Sequence, residues 1–210
     1  MTLSERVNKI LSQVKTTYID LTTTANFFLY SSLSTIPFFD LSASLQCHAK
    51  KEFDAREYDL RIVHTPSFCD SGYCKEYDDY NNFKVYLDAP TGICLLYKDK
   101  PQAVISFKKS GKSTLFIPQI QGVRQRRQGG IQLNNSWGIE PFDWPALLVR
   151  IAEVFAQRCG FRTLCIQSAH NNNWKGGAVR LERMVRYYDN TAKRLGFEQH
   201  EDKNWYKSSI

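Results

Sequence analysis

Apolar residues recur along this chain in two different periods, and the change from one to the other organises it. Leu3, Val7, Ile10, Leu11 and Val14 stand three and four apart, the spacing of one face of a helix. Thr2 and Glu5 ahead of them have the form of a capping box, in which each side chain takes an N–H that the first turn leaves unpaired. A helix is predicted over 3–19. Residues 20–60 read as helix and loop, and 1–80 as a helical N-terminal extension packed on the domain that follows at 81–210.

From residue 83 the period shortens to two. "FKVYLD" is strand-like, and "GICLLYK" and "AVISFKK" flank the turn "DKPQ", which predicts a hairpin. "SGKS" is a second turn and "TLFIPQIQGV" a third long strand, so the region reads as an antiparallel meander. The helical period then returns at Trp144, Leu147, Leu148, Ile151, Phe155 and Cys159. Asp143 suits the N-cap, Pro145 the first turn and Gly160 the stop. "RTLCIQSA" is a short apolar strand of the kind buried on both faces. After the loop "HNNNWKGG", Leu181, Val185, Tyr188, Ala192 and Leu195 form one stripe of a last helix that Gly196 closes, and "FEQHEDKNWYKSSI" reads as a terminal strand or hairpin. The fold class is mixed α/β, a mainly antiparallel central sheet flanked by helices.

Composition narrows the function. Hydrophobic residues make up 42% of the 210 and aromatics 13%, enough for a packed core, which excludes wholesale disorder. The formal charge of +7 favours anionic partners: nucleic acid, phosphorylated cofactors or acidic proteins. Asp20, Pro37 and Asp40 interrupt the apolar stretches "FFLY" and "IPFF", so neither a membrane span nor a secretory leader is expected. Cys47, Cys69, Cys74, Cys94, Cys159 and Cys165 make no CxxC pair. Cys94, Cys159 and Cys165 lie in apolar segments and read as core thiols, which fits a reducing cytoplasm. Cys69 and Cys74 with His64 nearby are too loosely spaced for a zinc site, and no metal is expected.

Candidate chemistry gathers in three places. "RQRRQGG" supplies Arg124, Arg126, Arg127, Gly129 and Gly130; it suits a phosphate-binding turn, a nucleic-acid contact or a solvated basic turn. Lys175, Arg180, Arg183, Arg186, Lys193 and Arg194, with Trp137 and Trp174 near them, could grip phosphates and stack bases. His170 precedes three consecutive asparagines and is a candidate general base.

Taken in order, "TLFIPQIQGVRQRRQGG", "RTLCIQSAHNNN" and "YYDNTAKRLGF" make residues 83–210 resemble the GNAT superfamily of acyl-CoA-dependent N-acyltransferases. The resemblance implies transfer of an acyl group, acetyl foremost, from acetyl-CoA to an amine-bearing acceptor. In that family the fourth strand splays from the fifth, and the pantetheine arm lies in the gap against the fourth. Here that strand is "TLFIPQIQGV", so the resemblance implies that Ile120, Gln121 and Val123 face the arm. It further implies that Arg124, Arg126, Arg127, Gly129 and Gly130 hold the pyrophosphate and that Asn172 bonds the arm. The place of the family's general-acid tyrosine is Ala192 here, and Tyr188, one helical turn earlier on the same stripe, is the candidate for that role. The turn departs from the family pattern: residues 131–142 separate the glycines from Asp143. A second reading keeps the fold without catalysis, as a protein that binds nucleic acid or a protein partner through its basic face.

Overall fold

The computed structural model describes residues 41–64, 75–80, 83–98, 100–126, 132–133, 138–172 and 177–208. The helix expected over 3–19 lies outside these, as do Cys69, Cys74, Arg127, Gly129 and Gly130.

Among the described residues a seven-stranded sheet forms the centre, with the strand order β1-β4-β5-β6-β9-β11-β10. Its members are β1 (Tyr58–His64), β4 (Thr91–Tyr97), β5 (Lys100–Ser110), β6 (Thr114–Gly122), β9 (Thr163–Ile166), β10 (Glu198–Gln199) and β11 (Trp205–Ser208). Every neighbouring pair is antiparallel except β6 and β9, which run parallel. A smaller sheet orders β2 (Lys75–Tyr80), β3 (Phe83–Leu87), β7 (Arg124–Arg126) and β8 (Gln132–Leu133). The fold is thus mixed α/β with a mainly antiparallel sheet, as the sequence predicts.

The predicted hairpin is β4–β5, paired from Thr91↔Phe107 to Tyr97↔Lys100, and "TLFIPQIQGV" follows it as β6. β4 and β5 are largely apolar because they are covered on both faces: Thr91 to Leu96 and Pro101 to Phe107 are all buried. Gly92 is needed there, since a Cβ on it would stand 2.9 Å from the Ile105 carbonyl oxygen and 3.0 Å from Leu87 Cδ2. The segment Leu87–Ala89, buried at both ends, comes this close to the sheet only over a residue with no side chain.

Two strands depart from the sequence reading. Tyr58–His64, expected inside a helical extension, is β1, hydrogen-bonded along its length to β4. The physical reason is a short period-two pattern: Tyr58 and Leu60 are buried while Asp59 and Arg61 are not. Lys75–Tyr80, also placed in that extension, is strand β2. The described helix ahead of them is α1 (Leu41–His48). Phe83–Leu87 is the predicted strand, but it pairs with β2 and β7 in the small sheet and does not join the meander.

Helix α2 (Trp144–Arg158) links β6 to β9 and buries Leu147, Leu148, Ile151 and Phe155. The ring of Phe155 packs 4.8 Å from that of Phe107 on β5. Asp143 occupies the N-cap position with no side-chain cap bond. Its carboxylate instead pairs with the Arg194 guanidinium through both oxygens, which neutralises the acid beside the helix start. Cys94 and Cys165 are buried core thiols, whereas Cys159, at the end of α2, is half-buried. The predicted last helix is two helices, α3 (Ala178–Tyr187) and α4 (Asp189–Arg194), broken at Tyr188. α3 has no buried residue, while α4 buries Asp189, Thr191 and Ala192. Among the described residues, no helix is long and apolar enough to cross a membrane.

Candidate functional site

The parallel pairing of β6 with β9 is brief. It runs from Thr114↔Thr163 to Ile117↔Ile166 and closes with the Gln167 N–H donating to the Ile117 carbonyl at 2.9 Å. The next residue, Pro118, has no N–H to offer a ladder. On its other side the register of β6 against β5 shifts between Ser106 and Lys108, the mark of a bulge, which bends and twists a strand. The ladder ends at Ile117↔Ile166, where β9 ends, and beyond it the same edge of β6 is met by side chains.

Two of them take over from the ladder. Asn172 Nδ2 donates to the Pro118 carbonyl at 3.3 Å, and the Ile120 N–H donates to the Tyr188 hydroxyl oxygen at 3.0 Å. Pro118 and Ile120 are two apart, so both turn their backbone groups to the same edge. Val123 N–H donates to the Gln102 carbonyl on β5 at 2.8 Å. Backbone alternation therefore turns Val123 and Gln121 toward β5, and Ile120 toward the gap. The implied backbone contact of Gln121 and Val123 with a ligand in the gap thus finds the wrong phase of the strand. The Gln121 side chain is exposed and accepts from Gln119 Nε2 at 2.9 Å.

Tyr188 and Asn172 are held in this position by local structure. Ser168 opens a short 3-10 turn (Ala169–Asn171), its hydroxyl accepting the Asn171 N–H, and Asn172 ends it. Tyr188 is the joint between α3 and α4 and is 4% exposed. Burial pushes its hydroxyl above the ordinary value of 10.0, and the Asp88 carboxylate adds to this. The Ile120 N–H and the Asn172 amide act the other way. The hydroxyl therefore keeps its proton through the neutral range. Asp88 is fastened to the same strand, its N–H donating to Gln119 Oε1 at 3.1 Å.

Of the residues singled out in the sequence, Ile120, Asn172 and Tyr188 meet here. His170 lies on the turn ahead of Asn172 with an exposed side chain. Arg124 and Arg126 lie on β7 of the small sheet, paired to Lys84 and Gln132. Pro118, Asp88 and Gln119 belong to the site and are not apparent from residue type alone. Pro118 does carry a signal, because a proline within a strand marks an edge or a bulge. Among the described residues no group of His, Cys, Asp and Glu could hold a metal ion. Comparisons with protein-family models, curated proteins and solved structures find no match for this chain.

Proposed function

We propose that the chain is an acyl-CoA-dependent N-acyltransferase of GNAT type, acting where β6 parts from β9. The observation that carries this reading is the pair of contacts on the parted edge, Asn172 to Pro118 and Ile120 to Tyr188. The strand order supports it. In the main sheet β6 is the fourth strand and β9 the fifth, and their ladder is short, ending at Ile117↔Ile166. Displacement of these two side-chain contacts would turn the Pro118 carbonyl and the Ile120 N–H to an extended amide chain such as pantetheine. Acetyl-CoA would supply the activated acyl group as a thioester.

This chain's residues then have limited work to do. With the Tyr188 hydroxyl turned to the sulfur, the Ile120 N–H that now donates to it is released to stabilise charge on a carbonyl oxygen. Tyr188, buried and protonated, gives its proton to the departing sulfur as the new C–N bond forms and the C–S bond breaks. His170, open to water, takes the proton that the amine loses. Positioning supplies most of the rate. The pairing of Asp143 with Arg194 removes a carboxylate charge that would repel phosphate near the start of α2.

The binding reading keeps one specific observation in its favour: Arg180, Arg183 and Arg186 are all exposed on α3, a basic stripe suited to phosphates. Melting the protein with millimolar acetyl-CoA, and separately with a short oligonucleotide, tests the two together. A rise in Tm with acetyl-CoA is expected. Stabilisation by the oligonucleotide alone, with longer acyl-CoAs also silent, would replace the enzyme with the binding protein.

A further inference from the structure

Asp189 follows Tyr188 directly and is 7% exposed. A carboxylate is costly to bury unless its oxygens are bonded. Here one oxygen, Oδ1, accepts from the Ala169 N–H at 3.1 Å and from the Trp205 indole N–H at 2.8 Å. Each donor belongs to a different part of the site. Ala169 opens the 3-10 turn that delivers Asn172, whose own N–H returns to the Ala169 carbonyl at 3.4 Å. Trp205 opens β11 and pairs with Ile166, the last residue of β9. A single carboxylate oxygen thus ties the joint between α3 and α4 to the exit of β9 and to the terminal hairpin. The joint itself lies at Tyr188, with φ −101° and ψ −68°, where the stripe of apolar residues gives no local reason for a break.

We infer that Asp189 is a positioning residue: by joining the Ala169 turn and Trp205 to the helix break, it sets the Tyr188 hydroxyl against the Ile120 N–H and the Asn172 amide against the Pro118 carbonyl of β6. The acyl-transfer reading gives this arrangement its purpose, but the arrangement itself is testable without any ligand.

Amide hydrogen exchange at Ile120, followed by NMR, reads the position of the Tyr188 hydroxyl directly. D189A removes the shared oxygen, and D189N keeps an oxygen in its place. In D189A the Ile120 amide is expected to exchange about tenfold faster relative to the β4–β5 amide of Ile105, approaching its rate in Y188F. D189N should restore the wild-type ratio. A merely structural role would speed Ile105 and Ile120 alike. An unchanged Ile120-to-Ile105 ratio in D189A, or a D189N ratio as fast as that of D189A, overturns the inference. Should D189A not fold, W205F, which removes one of the two donors, is expected to shift the ratio in the same direction, and no shift there overturns it equally. In an active preparation the kcat losses of D189A and Y188F are expected not to multiply in the double variant. Failure of acetyl-CoA to bind would end the acyl-transfer reading and leave the exchange result standing by itself.

Discussion

Replacing Tyr188 with Phe keeps the buried ring and deletes one oxygen, the acceptor of the Ile120 N–H at 3.0 Å. The consequence divides into two measurable parts. Ile120 is 1% exposed, so its N–H loses a partner that water does not readily replace, which costs about 1–3 kcal/mol. For a chain of this length that lowers Tm by about 2–12 °C. The same oxygen is the proposed general acid, and its loss lowers turnover by roughly 10²-fold or more. Thermal melts near neutral pH read the first part, and release of free thiol from acetyl-CoA reads the second. The pH dependence has a definite sign. The unfolded chain loses this proton near 10.0, while the folded chain, with its pKa raised by burial, holds it to higher pH. This contribution to stability is complete below 10.0 and declines as pH rises through the folded value. The difference between wild type and Y188F should therefore narrow in strong alkali. An unchanged Tm together with unchanged Ile120 exchange would refute the hydrogen bond. Unchanged turnover in an active enzyme would leave Tyr188 as packing alone.

Two other perturbations test the surroundings of the site. A Cβ on Gly138 would stand 2.6 Å from Tyr97 Cβ and 2.9 Å from Gln102 Cδ, so Gly138→Ala should cost about 1–3 kcal/mol in denaturant titration; no loss would mean the segment before α2 does not pack on β4 and β5. His48 has its pKa lowered from 6.5, first by burial and then by Arg150 and Arg194, against the Asp143 carboxylate. A histidine lowered in this way stabilises the fold above its unfolded value, and the contribution is lost as pH falls below 6.5. His48→Gln should make the acid limb of the stability curve shallower, and an identical limb would contradict the placement.

What could be read from the sequence was whatever local pattern alone decides. The β4–β5 hairpin, β6 and β9 follow from apolar runs between turns, and α2 from its stripe with Pro145 at the start and Gly160 at the end. β1 was hidden because its alternation spans only Tyr58–His64 and its partner, β4, lies 27 residues or more along the chain. The stripe through Leu181, Val185, Tyr188 and Ala192 continues across the break between α3 and α4, so periodicity predicts one helix. The partners of Asp189 at that break lie 20 and 16 residues away, and apolar spacing carries no signal for such polar contacts. Tyr188 and Asn172 could each be picked out singly, one by its stripe and one by its asparagine run. That they meet on the same edge of β6 depends on where β6 leaves β9, and only Pro118 hints at that in the sequence.

A crystal structure grown with excess acetyl-CoA would show whether the edge of β6 receives the acyl donor. The thioester is expected between Pro118–Gly122 and Ser168–Asn172, extended along β6, with the Tyr188 hydroxyl turned to its sulfur. Coenzyme A bound elsewhere, with Asn172 still on the Pro118 carbonyl and Tyr188 still on the Ile120 N–H, would contradict this placement.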